Sequence, residues 1–199
     1  MTSCGKQLPL NTKQIIEDFH ETCKVKRIGR SRARVFNFDE TSVQLDQPGN
    51  YTYETKGTQN IYGATASHER VTVSVCLTTS ADGTILPPFI IIPRKTPLPN
   101  YAPPDNVVVH YKNHGKTFDT EIIKEGILKR VLMPHFLQKQ IKNPLVFADS
   151  APCHKTVQVK TAFKNANIDY ELIPPSMTKL VQPQDVSLMK AFKSRFACR

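Results

Sequence analysis

Apolar positions fall first at helical spacing, then at strand spacing, and afterwards the two patterns alternate. Ile15, Ile16, Phe19 and Cys23 recur every three to four residues, which predicts a short amphipathic helix over 12–23, with Asn11 or Thr12 as its N-cap. Arg34 to Thr41 alternates instead. Val35, Asn37 and Asp39 take one side of this first strand and Phe36 and Phe38 the other, so Glu40 points away from Asp39. Residues 46–69, rich in Gly, Thr, Asn and Gln, read as a long loop.

A second alternation, 70–77, puts Val71, Val73, Val75 and Leu77 on one face. Ser80-Ala81-Asp82-Gly83 is a turn signal, and the apolar run from Thr84 to Ile92 completes a hairpin; Asp82 belongs to the turn. Five prolines between Pro93 and Pro104 exclude regular structure there and predict an excursion loop, after which 106–110 suits a short strand. Ile122, Ile123, Ile127, Val131 and Leu132 then form a helical stripe over 120–139, starting near Asp119 or Thr120, which Pro134 should bend or end.

Leu145 to Ala148 is a continuous apolar run bounded by turn residues, the mark of a strand buried on both faces, and it ends at Asp149. A helix over 155–166, a strand over 168–173 closed by Pro174-Pro175, and a last helix from Pro183 with Val186, Met189, Phe192 and Phe196 in its stripe complete the chain. This order predicts an α/β fold: a three-strand antiparallel unit followed by two crossover units. Right-handed crossovers lay the Asp149 strand parallel to, and beside, the Asp39 strand. The expected sheet is mixed and five-stranded, three antiparallel strands then two parallel, flanked by helices.

Composition narrows what such a sheet serves. At 199 residues the chain suits one domain, and no apolar run approaches the roughly 18 residues that cross a bilayer. The start lacks the apolar core of a signal peptide. Cys4, Cys23, Cys76, Cys153 and Cys198 are scattered and include no C-x-x-C pair, which argues against a disulfide framework or a cysteine zinc site and for a reducing setting. The net charge of +10 favours a polyanionic partner such as nucleic acid. Lys24, Lys26, Arg27, Arg30, Arg32 and Arg34 crowd one eleven-residue stretch, readable as a solvated linker, a phosphate-contacting strip or a nuclear-import signal. Lys190 and Lys193 lie off the apolar stripe of the last helix, and Lys179 is a further candidate phosphate contact.

Candidate chemistry gathers at the carboxyl end of the central strands, where open α/β sheets place their sites. Asp39 and Asp149 would arrive on neighbouring strands about 4.8 Å apart, and Asp185, in the first turn of the last helix, would complete the set. Like charges about 4 Å apart cost about 4 kcal/mol per pair at an effective dielectric near 20. Divalent cations remove that repulsion, and oxygen-only ligands suit Mg²⁺ or Mn²⁺. Two such ions about 3.5–4 Å apart serve phosphodiester chemistry. His154, five residues past Asp149, is within reach of the site, but reads first as a helix-start histidine bonded to backbone.

Three blocks carry a resemblance: Asn37-Phe38-Asp39-Glu40-Thr41, the stretch from Leu145 to His154, and the stretch from Pro174 to Asp185. Together with Val71 to Phe89, they resemble the DDE endonuclease domain of pogo/Tigger-type transposases, to which centromere protein B and jerky-type proteins are also similar. The thirty-five residues between Asp149 and Asp185 fit the same pattern, whereas Ser150 and Gln184 stand where that family often has Asn and Leu. The resemblance implies an RNase H-like fold and a catalytic, metal-binding triad of Asp39, Asp149 and Asp185 holding two Mg²⁺ or Mn²⁺ ions. It further implies a nuclear, DNA-acting protein that works as a homo-oligomer, without a membrane or a small-molecule cofactor. The expected organisation is an N-terminal helix and basic linker over 1–33 and a catalytic core over 34–199. The helix-turn-helix domains usual upstream in the family are not expected in so short a leader. The alternative reading is a transposon-derived protein that binds DNA or chromatin with weak or no cleavage.

Overall fold

The computed structural model describes residues 9–44, 72–113, 118–184 and 188–197. Among them six strands form one mixed sheet in the order β4-β3-β2-β1-β5-β6. Strand β1 (Val35–Gln44) pairs antiparallel with β2 (Thr72–Ser80), which pairs antiparallel with β3 (Phe89–Ile92). On its other side β1 runs parallel to β5 (Leu145–Ala148), and β5 runs parallel to β6 (Asp169–Leu172). The later strands therefore add beside the first.

The sheet has one strand more than expected. Val108–Tyr111 forms β4, parallel to β3, with Phe89 opposite Val108 and Ile92 opposite Tyr111. The proline-rich excursion supplies the reason: a parallel neighbour needs a connection of about a dozen residues or more, and 93–107 is long enough without a helix. The hairpin turn is as expected. Asp82 Oδ1 accepts from the Ser80 hydroxyl and, at 2.9 Å, from the Thr84 N–H, while Gly83 takes a left-handed φ of 94° that a β-carbon would strain.

Pro134 does not end its helix. The chain winds as a π-helix over Ile122–Leu132 and continues directly as α2 (Met133–Gln138), so the winding changes from π to α one residue before Pro134. Helix α1 (Thr12–Arg27) is longer than expected and takes in Lys24, Lys26 and Arg27. Helix α3 (Val157–Asn165) starts where Thr156 Oγ1 accepts from the Val159 N–H. Two further helices, α4 (Thr178–Val181) and α5 (Met189–Ala197), follow β6.

Alternation along the strands sorts the core into two layers. Phe36, Phe38, Ile91, Val146 and Ala148 face the π-helix, α2 and α3, meeting Ile123, Ile127, Leu132, Val159 and Phe163. On the other face Met189 of α5 packs on Val43, Val75 and Leu77, and Phe19 and Cys23 of α1 pack on Val35, Leu145 and Phe147. Burying each such side chain contributes about 1.5–3 kcal/mol. Because both faces are covered, polar groups on β1 are held inside the fold.

Candidate active site

Asp39 is one of these groups, buried at 8% exposure near the middle of β1. The β1–β5 ladder pairs Val35 with Leu145, Phe36 with Val146 and Asn37 with Phe147. The ladder ends there, two residues before Asp39 on β1 and two before Asp149, the first residue past β5. Asp149 is beyond the pleat, and its side chain is placed by other contacts.

Those contacts run through His154. Asp149 Oδ1 accepts from the Ala151 N–H at 3.1 Å and meets His154 Nδ1 at 2.5 Å. The other ring nitrogen, Nε2, meets Glu40 Oε1 at 2.9 Å. His154 is fully buried, with its ring edge-on to Phe38 at 5.4 Å between centroids. Its Nδ1 also lies 3.1 Å from the Asp149 carbonyl, the kind of backbone contact expected of it, but the two carboxylates are the larger part of its environment. Glu40 is thus a site neighbour that reading the residues one at a time did not find, and His154 reaches the site rather than bonding to backbone alone. The D-x-x-x-x-H spacing and the Asp-Glu pair were the available signals, and neither says that the groups meet.

Charge follows this geometry. Burial alone would push the His154 ring towards its neutral form, yet its bonds to Asp149, Cys153 and Glu40 outweigh burial and hold its pKa far above the ordinary imidazole range. Burial likewise pushes Asp149 up, but the His154 bond and charge and the Ala151 N–H bring its pKa below the ordinary carboxylate value. The ring lies between two carboxylates, which favour its charged form. Beneath them the Cys76 thiol is pushed well up, by burial first and then by the charges of Glu40 and Asp39.

Asp185 and Val186 lie outside the described residues, as does the side chain of Phe196. The approach to Asp185 is described. Gln182 and Gln184, two apart and both fully buried, reach β1 together. Gln182 Nε2 donates to the Phe38 carbonyl at 3.4 Å; Gln184 Nε2 donates to the Asn37 carbonyl at 2.5 Å and to Thr79 Oγ1 at 3.0 Å. The residue preceding Asp185 is therefore fixed to the strand that carries Asp39.

The basic side chains divide into two groups. Lys26 reaches Asp169 at 2.9 Å and Glu171 at 3.5 Å, and Arg30 reaches Asp169 at 3.1 Å and the Asn143 carbonyl at 3.0 Å, so both pin the end of α1 to β6. Lys24 pairs with Glu21 at 2.6 Å in the open. Arg27, Arg32, Lys179, Lys190 and Lys193 are exposed, and Arg34 is half-buried.

Glu40, Asp149 and His154 each offer a ligand atom within 4.8 Å of the others. Their carboxylate oxygens fit a hard divalent cation such as Mg²⁺ or Mn²⁺; Asp39, which alternation along β1 turns to the other face from Glu40, is not one of this group. No helix among the described residues is long and apolar enough to cross a membrane.

Residues 68–198 match the family model described as DDE superfamily endonuclease. The chain is 28% identical over 158 residues to the mouse protein named pogo transposable element with KRAB domain, covering 79% of this chain and 26% of that one. Its human counterpart is 27% identical over the same shares. The chain thus spans about a quarter of the length of these relatives. Among solved structures it is similar to the Mos1 mariner paired-end complex with Mn, at a TM-score of 0.64 and 12% identity, covering 98% of this chain and 52% of that one. It is also similar to the Mos1 mariner transposase catalytic domain, at a TM-score of 0.56 and 14% identity, covering 96% and 76%. The fold is RNase H-like, with six strands among the described residues where five were expected.

Proposed function

Because this chain belongs to the DDE superfamily endonucleases, we propose that it carries out metal-dependent hydrolysis and strand transfer at DNA phosphodiesters, with Asp39, Asp149 and Asp185 as the carboxylates that hold two divalent ions. The observation that supports the reading is the β1–β5 register, which pairs Asn37 with Phe147, each two residues before a proposed ligand, Asp39 and Asp149. The glutamine anchors that tie the residue before Asp185 to β1 support it. Divalent ions in such a site supply Lewis acidity and compensate developing negative charge.

The protein's own part is placement. Asp39, held in the middle of a strand covered on both faces, is the rigid member. Asp149 has its Oδ1 taken by Ala151 and His154, which leaves Oδ2 for a ligand. In the reaction an oxygen nucleophile, from water or a DNA 3′-hydroxyl, bonds to phosphorus and gives up its proton as one phosphorus–oxygen ester bond breaks, and the departing DNA oxygen takes the bonding pair and a proton to leave as a hydroxyl. Arg27, Arg32, Lys179, Lys190 and Lys193 offer exposed positive charge for the DNA backbone. The same charges support a second reading, a DNA- or chromatin-binding protein with little cleavage, because they need no carboxylate. A nuclear location and a homo-oligomeric assembly belong to the proposal.

The test is nicking of duplex DNA by the chain with Mg²⁺ or Mn²⁺, compared with Asp149→Ala. The variant should lose more than about 100-fold in rate, since removing an outer partner of a metal ligand already costs about 10–100-fold. Nicking that Asp149→Ala leaves intact would reject the assignment. DNA binding without nicking under either metal would favour the second reading.

A further inference from the structure

The proposed chemistry assigns no task to His154, although it is the most enclosed ionisable side chain beside the carboxylates. Asp149 stands where β5 has ended, and its side chain is partly exposed, so no ladder or packing fixes the turn of its carboxylate. Two hydrogen bonds do so, both to Oδ1, from the Ala151 N–H and from His154 Nδ1. Among the described residues no donor reaches Oδ2. His154 is itself held on every side: its backbone N–H donates to the Ala151 carbonyl at 3.0 Å, its ring meets the edge of Phe38, and Nε2 is bonded to Glu40. Glu40 directly follows Asp39 on β1. The chain Glu40–His154–Asp149 therefore links β1, which carries Asp39, to the segment just past β5 that carries Asp149.

We infer that His154, anchored at its far end by Glu40, is a positioning residue that fixes Asp149 with Oδ2 turned outwards as the oxygen that ligates a divalent cation. The inference rests on the reading of Asp149 as a metal ligand and adds which oxygen serves and what holds it. The other use of the trio, with imidazole itself as a ligand, is disfavoured by the placement of the ring, whose two nitrogens already lie against carboxylate oxygens, Nδ1 at 2.5 Å and Nε2 at 2.9 Å. Partners of this kind set the orientation of ligating side chains, and their loss weakens metal binding about 10–100-fold.

The experiment measures Mn²⁺ binding to the 199-residue chain without DNA, by calorimetry and by electron spin echo modulation, which detects directly coordinated nitrogen. The wild-type chain should bind Mn²⁺ with no ligated nitrogen. His154→Ala should weaken binding about 10–100-fold, and His154→Asn, whose amide can still donate to Asp149, should recover part of that loss. Glu40→Gln keeps an acceptor for Nε2 but removes the charge, and should weaken binding less than His154→Ala does. A directly coordinated nitrogen overturns the inference, and so does a folded His154→Ala that binds Mn²⁺ within about twofold of wild type. Should His154→Ala fail to fold, unchanged affinity in both His154→Asn and Glu40→Gln overturns it, and weakened affinity in Glu40→Gln upholds it. A wild-type chain that binds no Mn²⁺ defeats the ligand reading of Asp149 itself, a distinguishable failure.

Discussion

Gln184 donates through Nε2 to the backbone carbonyl of Asn37 at 2.5 Å, across the fold from one end of the sequence to the other. A second bond from the same nitrogen to Thr79 Oγ1, at 3.0 Å, ties β2 into the contact. The segment leading to Asp185 is thereby fixed two residues from Asp39.

Replacing Gln184 by Ala should therefore destabilise the protein by about 2–4 kcal/mol, through lost hydrogen bonds and the space left by a fully buried side chain. Thr79→Val, which removes only one acceptor, should cost about 1 kcal/mol or less. Urea unfolding of the two variants separates these values. A Gln184→Ala midpoint unchanged from wild type would show that the contact does not anchor the segment.

The two groups of basic side chains should respond differently to truncation. Lys26 and Arg30 are partly buried against Asp169, so Lys26→Ala or Arg30→Ala should lower stability by about 0.5–2 kcal/mol. Their effect on DNA affinity should be small. Lys190→Ala or Lys193→Ala, at exposed positions, should leave stability within about 0.5 kcal/mol. If these lysines meet phosphates, each loss should reduce the slope of log affinity against log salt by about 1. Fluorescence anisotropy on a DNA duplex at several salt concentrations, beside thermal melts, checks both halves. Reversed roles would mean that the α1 end is the DNA surface.

Much of this arrangement was legible along the chain because it depends on periodicity. The Val35/Asn37/Asp39 and Phe36/Phe38 alternation gave the sides of β1, and the apolar run ending at Asp149 gave β5 and its buried setting. Right-handed crossover then placed one beside the other. The missing parts are pairings between residues far apart in sequence. Lys26 with Asp169, Gln184 with Asn37 and His154 with Glu40 each join residues more than a hundred positions apart, and no local pattern encodes such a contact. The π-winding before Pro134 left no trace in apolar spacing, and β4 was legible as a strand but not as a member of the sheet.

Gly126 is required by packing. A β-carbon built there would lie 2.5 Å from Cζ and 2.9 Å from Cε2 of Phe89, whose ring is buried at 1% exposure in the main core. Gly126→Ala favours helix locally by about 1 kcal/mol, yet overpacking a filled core costs about 1–3 kcal/mol. The net expectation is destabilisation. Pairing it with Phe89→Leu should cost less than the sum of the two single changes, because the smaller side chain frees the space. A Gly126→Ala protein more stable than wild type in a thermal melt would show that the Phe89 ring can move aside.

Asp119 should make stability depend on pH in a defined direction. Its Oδ1 accepts from the Ile122 N–H at 2.9 Å at the start of the π-helix, and its Oδ2 pairs with Lys112 at 2.5 Å. Burial pushes the carboxyl upward, but the Lys112 bond and the Ile122 N–H outweigh it and hold the pKa below the ordinary carboxylate range. A carboxyl whose folded pKa lies below its unfolded value, about 3.9, stabilises the fold fully above that value. The contribution disappears as pH falls through the folded pKa. Because the side chain is 48% exposed, solvent screens the pair and limits its worth to about 0.5–1 kcal/mol. Asp119→Asn keeps an acceptor for Ile122 and removes only the charge, so it isolates this effect. The stability gap between wild type and Asp119→Asn should be constant from about pH 7 to pH 5, narrow below about pH 4 and close in stronger acid. It should also shrink in high salt. Urea midpoints measured across that range decide the matter, and a gap that persists undiminished in strong acid would assign the stabilisation to the shape of the cap rather than to its charge.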